Sequence, residues 1–339
     1  MKRKLLISVL LVSLVGLLPS VAEHSRASLY ASSMDDLLSY IPKAAEGVVV
    51  INIREASKRG LYEELQKYPE IMSGLKEAEK ETGVDLWNEI HYIAIVFNKF
   101  QKESDPKIYG LFNTSISEDQ VINIIRTKGE KEVNTVNIEG RMAYEVGDNT
   151  SKSYFAFGDQ NMAVIAENKD DLIAGLEGLK RTRGSITSNP VFSGIFESVN
   201  KNHIVWGVIA IPEHAKQEAA AQQGPGAFFA KMKAVYLGFS YDTKGLYIDL
   251  NFYVPEAKDA KTLAQTLEGF KGMGKMSVAQ EMPEITKYID LIMITQEVDH
   301  VKMSLHLTQV QLDEIEKILD AIKAKEESPE KSKAEMKNQ

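Results

Sequence analysis

Apolar residues recur along the chain in a pattern that predicts a strand, a turn and an amphipathic helix in succession. The clearest example is Gly245–Phe270, where an alternating apolar segment reaches Val254 and a helical apolar period follows. The same order occurs over 107–128, where a segment rich in Ile and Phe precedes a helix opened by Glu118. The second occurrence predicts that the chain contains two versions of one fold in tandem.

The other elements extend this pattern into two halves, 33–180 and 189–323. Each half has the predicted order helix, strand, helix, two strands, helix, two strands and helix. Residues 181–188 are polar, have no apolar period and form the predicted linker. Strands joined by short turns pair antiparallel, and helices cover the apolar face of a sheet. The predicted fold class is therefore α+β, with two similar tandem halves, each a mainly antiparallel sheet with helices packed on one face.

The two ends of the chain lack the pattern of a folded core. Three basic residues at 2–4, an apolar run over Leu5–Leu18 and small residues ending at Ala22 are typical of an export signal. Residues 1–22 are therefore predicted to be a signal peptide, with cleavage after Ala27 or retention as an anchor as the alternatives. Residues 324–339 are charged and poor in core-forming residues, and they are predicted to be a disordered tail.

The composition limits the cellular compartments and the kinds of functional site that are compatible with this chain. The 339 residues include no cysteine, which excludes disulfides, thiol catalysis and cysteine-ligated metals. Together with the export signal, this predicts a periplasmic or extracellular protein and favours a bacterial envelope. The formal net charge of −8 argues against nucleic acid and anionic membranes as partners. No stable membrane span is expected once the signal is removed.

The sequence combines an export signal, the absence of cysteine and two similar halves. Each half has a strand, a turn, a second strand and an acid-led helix. In these features the chain resembles exported bacterial proteins of uncharacterised, domain-of-unknown-function type. The resemblance covers about residues 35–323. It implies no activity and assigns no site residues.

Two segments match the spacing of known sites without the required context. Gly269–Lys275 has the glycine and lysine spacing of a phosphate-binding loop, but a helix precedes it instead of a strand. The segment is interpreted as the end of that helix. Ser240 lies in Gly238–Asp242, which resembles a nucleophile elbow but lacks the final glycine and lies on a strand that enters a turn. Neither segment therefore predicts an active site.

No set of residues has the spacing of a metal site. The six histidines do not pair at ligand spacing, and His300 and His306 lie about 20 Å apart along one strand. Three methionines at 273, 276 and 282 are interpreted as loop packing rather than copper ligands. The sequence predicts no metal and no cofactor.

Three aromatic residues are the predicted contacts for a ligand or partner. Phe228 and Phe229 follow an Ala/Gln run and Gly-Pro-Gly in the segment 213–233, which resembles a flap, and Trp87 precedes an apolar strand. The alternatives are that the phenylalanines fold back onto the sheet and that Trp87 packs helices onto it.

These observations favour an exported, non-catalytic binding or envelope-associated protein. The predicted partner is an unknown protein or an apolar small molecule, held between the halves or under the 213–233 flap. A hydrolase or other enzyme with a site between the two halves is the first alternative, and a purely structural envelope component is the second. Convergent polar groups in a concave site favour an enzyme, whereas an apolar cleft favours a carrier.

Overall fold

The computed structural model describes residues 33–66, 72–73, 76, 79, 85–100, 107–128, 132–147, 152–159, 161–182, 184–221, 229–319 and 321. Within these residues, 12 strands form one sheet in which every neighbouring pair is antiparallel. In chain order the strands are β1 (Gly47–Asn52), β2 (Ile90–Lys99), β3 (Lys107–Thr114), β4 (Glu132–Ile138), β5 (Arg141–Gly147), β6 (Lys152–Phe157), β7 (Met162–Ala166), β8 (Val205–Ala210), β9 (Ala234–Asp242), β10 (Gly245–Tyr253), β11 (Met293–Gln296) and β12 (His300–Thr308).

Helices connect these strands, and several of them pack against the sheet. In chain order they are α1 (Met34–Ser39), α2 (Ile53–Lys58), α3 (Leu61–Leu65), α4 (Leu86–Glu89), α5 (Glu118–Lys128), α6 (Lys169–Leu179), α7 (Ile195–Ser198), α8 (Glu213–Ala221), α9 (Ala257–Glu281), α10 (Thr286–Ile289) and α11 (309–319). Short 3₁₀ turns lie at Ile186–Ser188, Pro190–Phe192 and Pro283–Ile285.

The strands follow the order β11-β12-β10-β9-β8-β1-β2-β3-β7-β6-β5-β4 across the sheet. Strands from the predicted first half lie on one side, and those from the second half lie on the other. They meet where β1 pairs with β8, with Gly47 opposite Ile209 and Ile51 opposite Val205. The α+β class and the antiparallel pairing are thus confirmed, and the strands of both halves belong to one sheet. The duplication of one fold stays a prediction.

Helices cover both faces of the first-half strands. On face A, which carries Val48 and Val50, the α6 residue Leu176 belongs to the same buried cluster as Tyr109 of β3. On the opposite face B, Ile122 of α5 packs in a cluster with Phe112 of β3. This corrects the predicted placement of helices on one face of each sheet. Successive strand residues point to opposite faces, so strands that are apolar throughout need cover on both sides.

The segment predicted as a linker is packed into the fold. Ile186 is fully buried in the face-A cluster, and its N–H group donates a 2.8 Å hydrogen bond to the carbonyl of Ile41. The Lys43 N–H group donates a 3.1 Å bond to the carbonyl of Gly184. These bonds tie the connection between the halves to the end of α1.

Helix α9 continues past Phe270, its predicted end, to Glu281. The glycines of Gly269–Lys275 therefore lie inside a helix, where backbone N–H groups bond the preceding turn and do not face a phosphate. The predicted helix end is wrong because glycine only weakens a helix, by roughly 1 kcal/mol. Proline stops one, and Pro283 follows the observed end.

Two helical glycines are expected to respond oppositely to alanine substitution. A Cβ on Gly178 of α6 would collide with the backbone carbonyl oxygen of Tyr40, which cannot rotate away. Gly178→Ala is therefore expected to lower the free energy of unfolding by about 1–3 kcal/mol. Gly274 of α9 has nothing within 4 Å of such a Cβ. Gly274→Ala is expected to raise the free energy of unfolding by about 0.5–1 kcal/mol. Urea unfolding of both variants measures the difference, and equal effects would contradict the described packing of α6.

Candidate functional site

A groove opens on face A in the part of the sheet formed by the second half. Its floor crosses β9, β10 and β12 through Ser240, Tyr247 and Ser304, and its volume is about 410 Å³. Face A is covered differently in the two halves, because α6 lies over β3, β6 and β7. Beside the groove, the β11 residue Met293 is 62% exposed. Around Ser240, Tyr247 and Ser304 the strands thus present a concave polar surface, which we call the face-A groove.

A buried histidine joins three elements under one wall of the face-A groove. His203 is 3% exposed, and its Nδ1 atom lies 2.8 Å from Oγ of Ser240 on β9. Its Nε2 atom lies 3.1 Å from Oδ2 of Asp249 on β10. The Nζ atom of Lys302 on β12 lies 3.3 Å from Oδ1 of the same carboxylate. The four side chains form a continuous polar row from the segment before β8 across to β12.

The local sequence makes room for the His203 ring. Gly238 of β9 lies beneath it, and a Cβ at this position would be 2.5 Å from the Cδ2 atom of the ring. The Tyr236 ring, two residues earlier on the same face, lies 6.4 Å from the imidazole. The Tyr236 hydroxyl donates a 3.0 Å bond to the carbonyl of Asn200, which fixes the chain just before the histidine. A glycine and a tyrosine two residues apart therefore hold the imidazole against the strand.

The first half contributes one cation to the rim of the groove. Arg59 follows α2, and its Nη2 atom donates a 3.1 Å bond to the carbonyl of Asn202. Its Nη1 atom lies 3.4 Å from Oδ2 of Asp242 at the end of β9. The groove is consequently lined by residues from both predicted halves.

The environment of Asp249 favours its charged form. The hydrogen bond from His203 is the largest cause that lowers the pKa of this carboxyl below 3.8, and the charge of Lys302 lowers it further. Burial acts in the opposite direction. A folded-state pKa below the unfolded value means that ionised Asp249 stabilises the fold above about pH 4, and that this contribution is lost as the pH falls through the folded pKa.

Replacing this carboxylate is expected to give a pH-dependent loss of stability. At neutral pH, Asp249→Asn should lower the free energy of unfolding by about 1–2 kcal/mol, because two charge-assisted contacts are lost. The difference in the free energy of unfolding between this variant and the unmodified protein should become smaller as the pH falls below 3.8, because Asp249 itself then becomes neutral. Urea unfolding at several pH values measures this difference, and a difference that does not change with pH would refute the assigned role of Asp249. Asp290→Asn, at an exposed carboxylate paired with Lys275, should change stability by less than about 1 kcal/mol.

The comparisons with known proteins give structural neighbours only. No family model matches the chain, and no curated protein matches it. Crystal form III of TP0453 is a structural neighbour with 8% identity and a TM-score of 0.44, and the match covers 81% of this chain and 95% of that one. Crystal form I of TP0453 has 10% identity and a TM-score of 0.41, with coverage of 83% and 96%. Crystal form IV has 9% identity and a TM-score of 0.44, with coverage of 79% and 92%.

The structure does not bring the predicted aromatic contacts together. Trp87 is half-buried next to β2, and its ring meets that of Tyr62 edge-on at 5.3 Å. Phe229 is 41% exposed and precedes β9. Trp87 lies near Asn52, where β1 pairs with the start of β2, and Phe229 lies near Gly47, where β1 pairs with the end of β8. Trp87 and Phe229 therefore lie at opposite ends of the central strands. Phe228 lies outside the described residues. Their roles as ligand contacts stay predictions.

Sequence reasoning missed the face-A groove. The signal was present as polar residues at every second position of two strands, in 247–251 on β10 and 302–306 on β12. Alternation places each set on one face of the sheet. The antiparallel register then sets Asp249 opposite Ser304 and Tyr247 opposite His306. His203 could not be added from the pattern, because it lies outside these strands and 46 residues before Asp249.

Two further features of the described residues bear on function. In the described part of the chain, no cluster of three or more His, Asp or Glu side chains has a geometry that could hold a metal ion. Over the same residues, no helix is both long enough and apolar enough to cross a membrane. Residues 1–22 and 324–339, predicted to be signal and tail, lie outside the described ranges.

Proposed function

We propose that the protein is an exported, non-catalytic binding protein that holds a small polar molecule in the face-A groove. The observation that carries this proposal is the groove itself, a volume of about 410 Å³ that gathers side chains from β9, β10, β12 and Arg59. Sites for small molecules are concave, have volumes of roughly 300–1,000 Å³, and use a few placed polar groups for orientation. The signal-like segment 1–22 supports export to the periplasm or outside the cell. The polar lining favours a polar ligand over the apolar one suggested by the sequence.

The state of the polar groups favours binding over catalysis. Ser240 is 2% exposed, and its Oγ atom already accepts a 3.3 Å bond from the N–H group of Ile204. Both ring nitrogens of His203 are engaged by Ser240 and Asp249. A nucleophile must reach its substrate, and the buried Ser240 hydroxyl does not. These groups support the strands and shape the groove instead.

A hydrolase remains the alternative function, because His203 contacts both a serine and an aspartate. Nucleophilic catalysis would require Ser240 to become exposed, since its hydroxyl is buried under the histidine. A serine-directed phosphonate probe tests this directly. Labelling of Ser240 in the folded protein would support the hydrolase, and absence of labelling supports the binding protein.

Native mass spectrometry of the protein, expressed from its full-length sequence and purified without denaturation, tests the proposed function. We expect a population that carries a small bound molecule, which is released on denaturation. The double variant Tyr247→Ala, Ser304→Ala should lose this population, because both side chains line the groove. The variant Thr262→Ala, on the opposite side of the sheet in α9, is the matched control and should keep it. A bare chain in every preparation, or retention of the molecule by the double variant, would overturn the proposal.

A further inference from the structure

The carboxylates of the face-A groove are already matched by donors from the protein. Asp249 has His203 at one oxygen and Lys302 at the other, at 3.1 and 3.3 Å. Asp242 accepts a 2.8 Å bond at Oδ1 from the backbone N–H of Lys244, and its Oδ2 atom lies 3.4 Å from Arg59. Each of the four carboxylate oxygens thus has a protein partner, and each carboxylate has a protein cation, Arg59 or Lys302, beside it.

The side chains left without a partner can all donate a hydrogen bond. Among the described residues, no hydrogen bond or ion pair is formed by the Lys244 ammonium group, the Tyr247 and Ser304 hydroxyls or the His306 ring nitrogens, and all four side chains line the groove. An ammonium group only donates, while hydroxyls and imidazole can donate or accept. The groove therefore presents one uncompensated positive charge and three orientable polar groups to a ligand.

We infer that the face-A groove binds a small molecule through an oxyanion, carboxylate or phosphate, which Lys244 and the hydroxyls of Tyr247 and Ser304 contact. The inference rests on the proposed function and names its ligand class. An oxyanion has only acceptor atoms, so it complements unpartnered donors and gains charge-assisted hydrogen bonds. It also meets no free carboxylate, because those of Asp242 and Asp249 are engaged by Arg59, His203 and Lys302.

The floor of the groove limits the rest of the ligand. Tyr247 and His306 stack at 4.2 Å with an angle of 13° between their rings, and this pair stands beside Met293. Ring faces and a thioether give an apolar contact next to the donors. The groove therefore fits a molecule of metabolite size with an oxyanion at one end and a short apolar or planar part at the other.

Isothermal titration of the purified protein with four probes tests the ligand class. Inorganic phosphate and succinate represent the two oxyanions, choline represents a cation, and glucose represents a neutral polar molecule. We expect phosphate or succinate to bind, choline and glucose not to bind, and the affinity to fall with added salt. The oxyanion that binds more tightly shows whether the ligand carries a phosphate or a carboxylate. Lys244→Gln should weaken that probe roughly tenfold or more, through the loss of one charge-assisted bond.

Lys261→Gln removes the same charge from an exposed position on α9, away from the groove, and should leave the affinity unchanged. If choline or glucose binds instead, and Tyr247→Ala abolishes that binding, the oxyanion inference fails while the binding function stands. If phosphate and succinate bind equally well to Lys244→Gln and to the unmodified protein, the inference is overturned. A bare chain in native mass spectrometry marks failure of the binding function itself, because that measurement does not depend on the probes.

Discussion

Trp206→Ala is expected to lower the free energy of unfolding by about 3–5 kcal/mol. Trp206 is fully buried on β8, directly opposite Val50 of β1, where the two sides of the sheet meet. Phe196 packs edge-on against its ring at 6.4 Å, and Phe192 packs against Phe196 at 5.6 Å. The substitution therefore opens a cavity at the junction itself.

The other tryptophan provides the control for this measurement. Trp87 is half-buried in α4, just before β2, so Trp87→Ala should lower the free energy of unfolding by less than about 2 kcal/mol. The chain contains only these two tryptophans, and each variant therefore keeps one fluorescent reporter. Urea unfolding followed by fluorescence and by far-ultraviolet circular dichroism compares them. A smaller loss for Trp206→Ala than for Trp87→Ala would show that β1 and β8 are not held together by this aromatic contact.

His203→Ala is expected to lower the free energy of unfolding by about 2–4 kcal/mol, because it creates a cavity and removes two hydrogen bonds at once. Asp249 keeps Lys302 and Ser240 keeps the N–H group of Ile204, so neither partner is left wholly unpaired. The same variant should weaken the binding of a ligand in the face-A groove, because the imidazole lines the groove and holds Asp249 in place.

An exposed histidine of the same groove separates residues that stabilise the fold from residues that contact the ligand. His306→Ala should cost less than about 1 kcal/mol in stability, since His306 is exposed and its main contact is the stacked Tyr247 ring. It should nevertheless weaken ligand binding, because the side chain lines the groove. If His306→Ala destabilises the fold as much as His203→Ala, the described division between buried and exposed histidines is incorrect.

Much of the fold followed from local patterns. The alternation in Gly245–Tyr253 predicted β10, and the acid-led apolar period after it predicted the start of α9. Both signals depend on residues close in sequence, whose side chains must point to one face. The end of α9 was missed, because three glycines lower helix propensity without providing another structure for the chain.

The candidate site followed much less from the sequence. Ser240 was considered only within the local segment Gly238–Asp242, and that segment gave no reason to connect it with His203 or Asp249. Trp87 precedes an apolar strand and Phe229 lies in the predicted flap, but the central strands separate them. A site built from side chains 37 and 46 residues apart requires the strand order, which local patterns do not contain.

The sequence by itself determined which segments are strands and helices, the α+β class, and which face of each strand is polar. These properties depend on periods of two and of 3.6 residues, which are local. Only the tertiary structure decided that β1 pairs with β8 in one sheet and that α6 lies over face A of β3, β6 and β7. Pairing of distant strands is set by packing of whole surfaces, and that packing forms the face-A groove around His203 and Asp249.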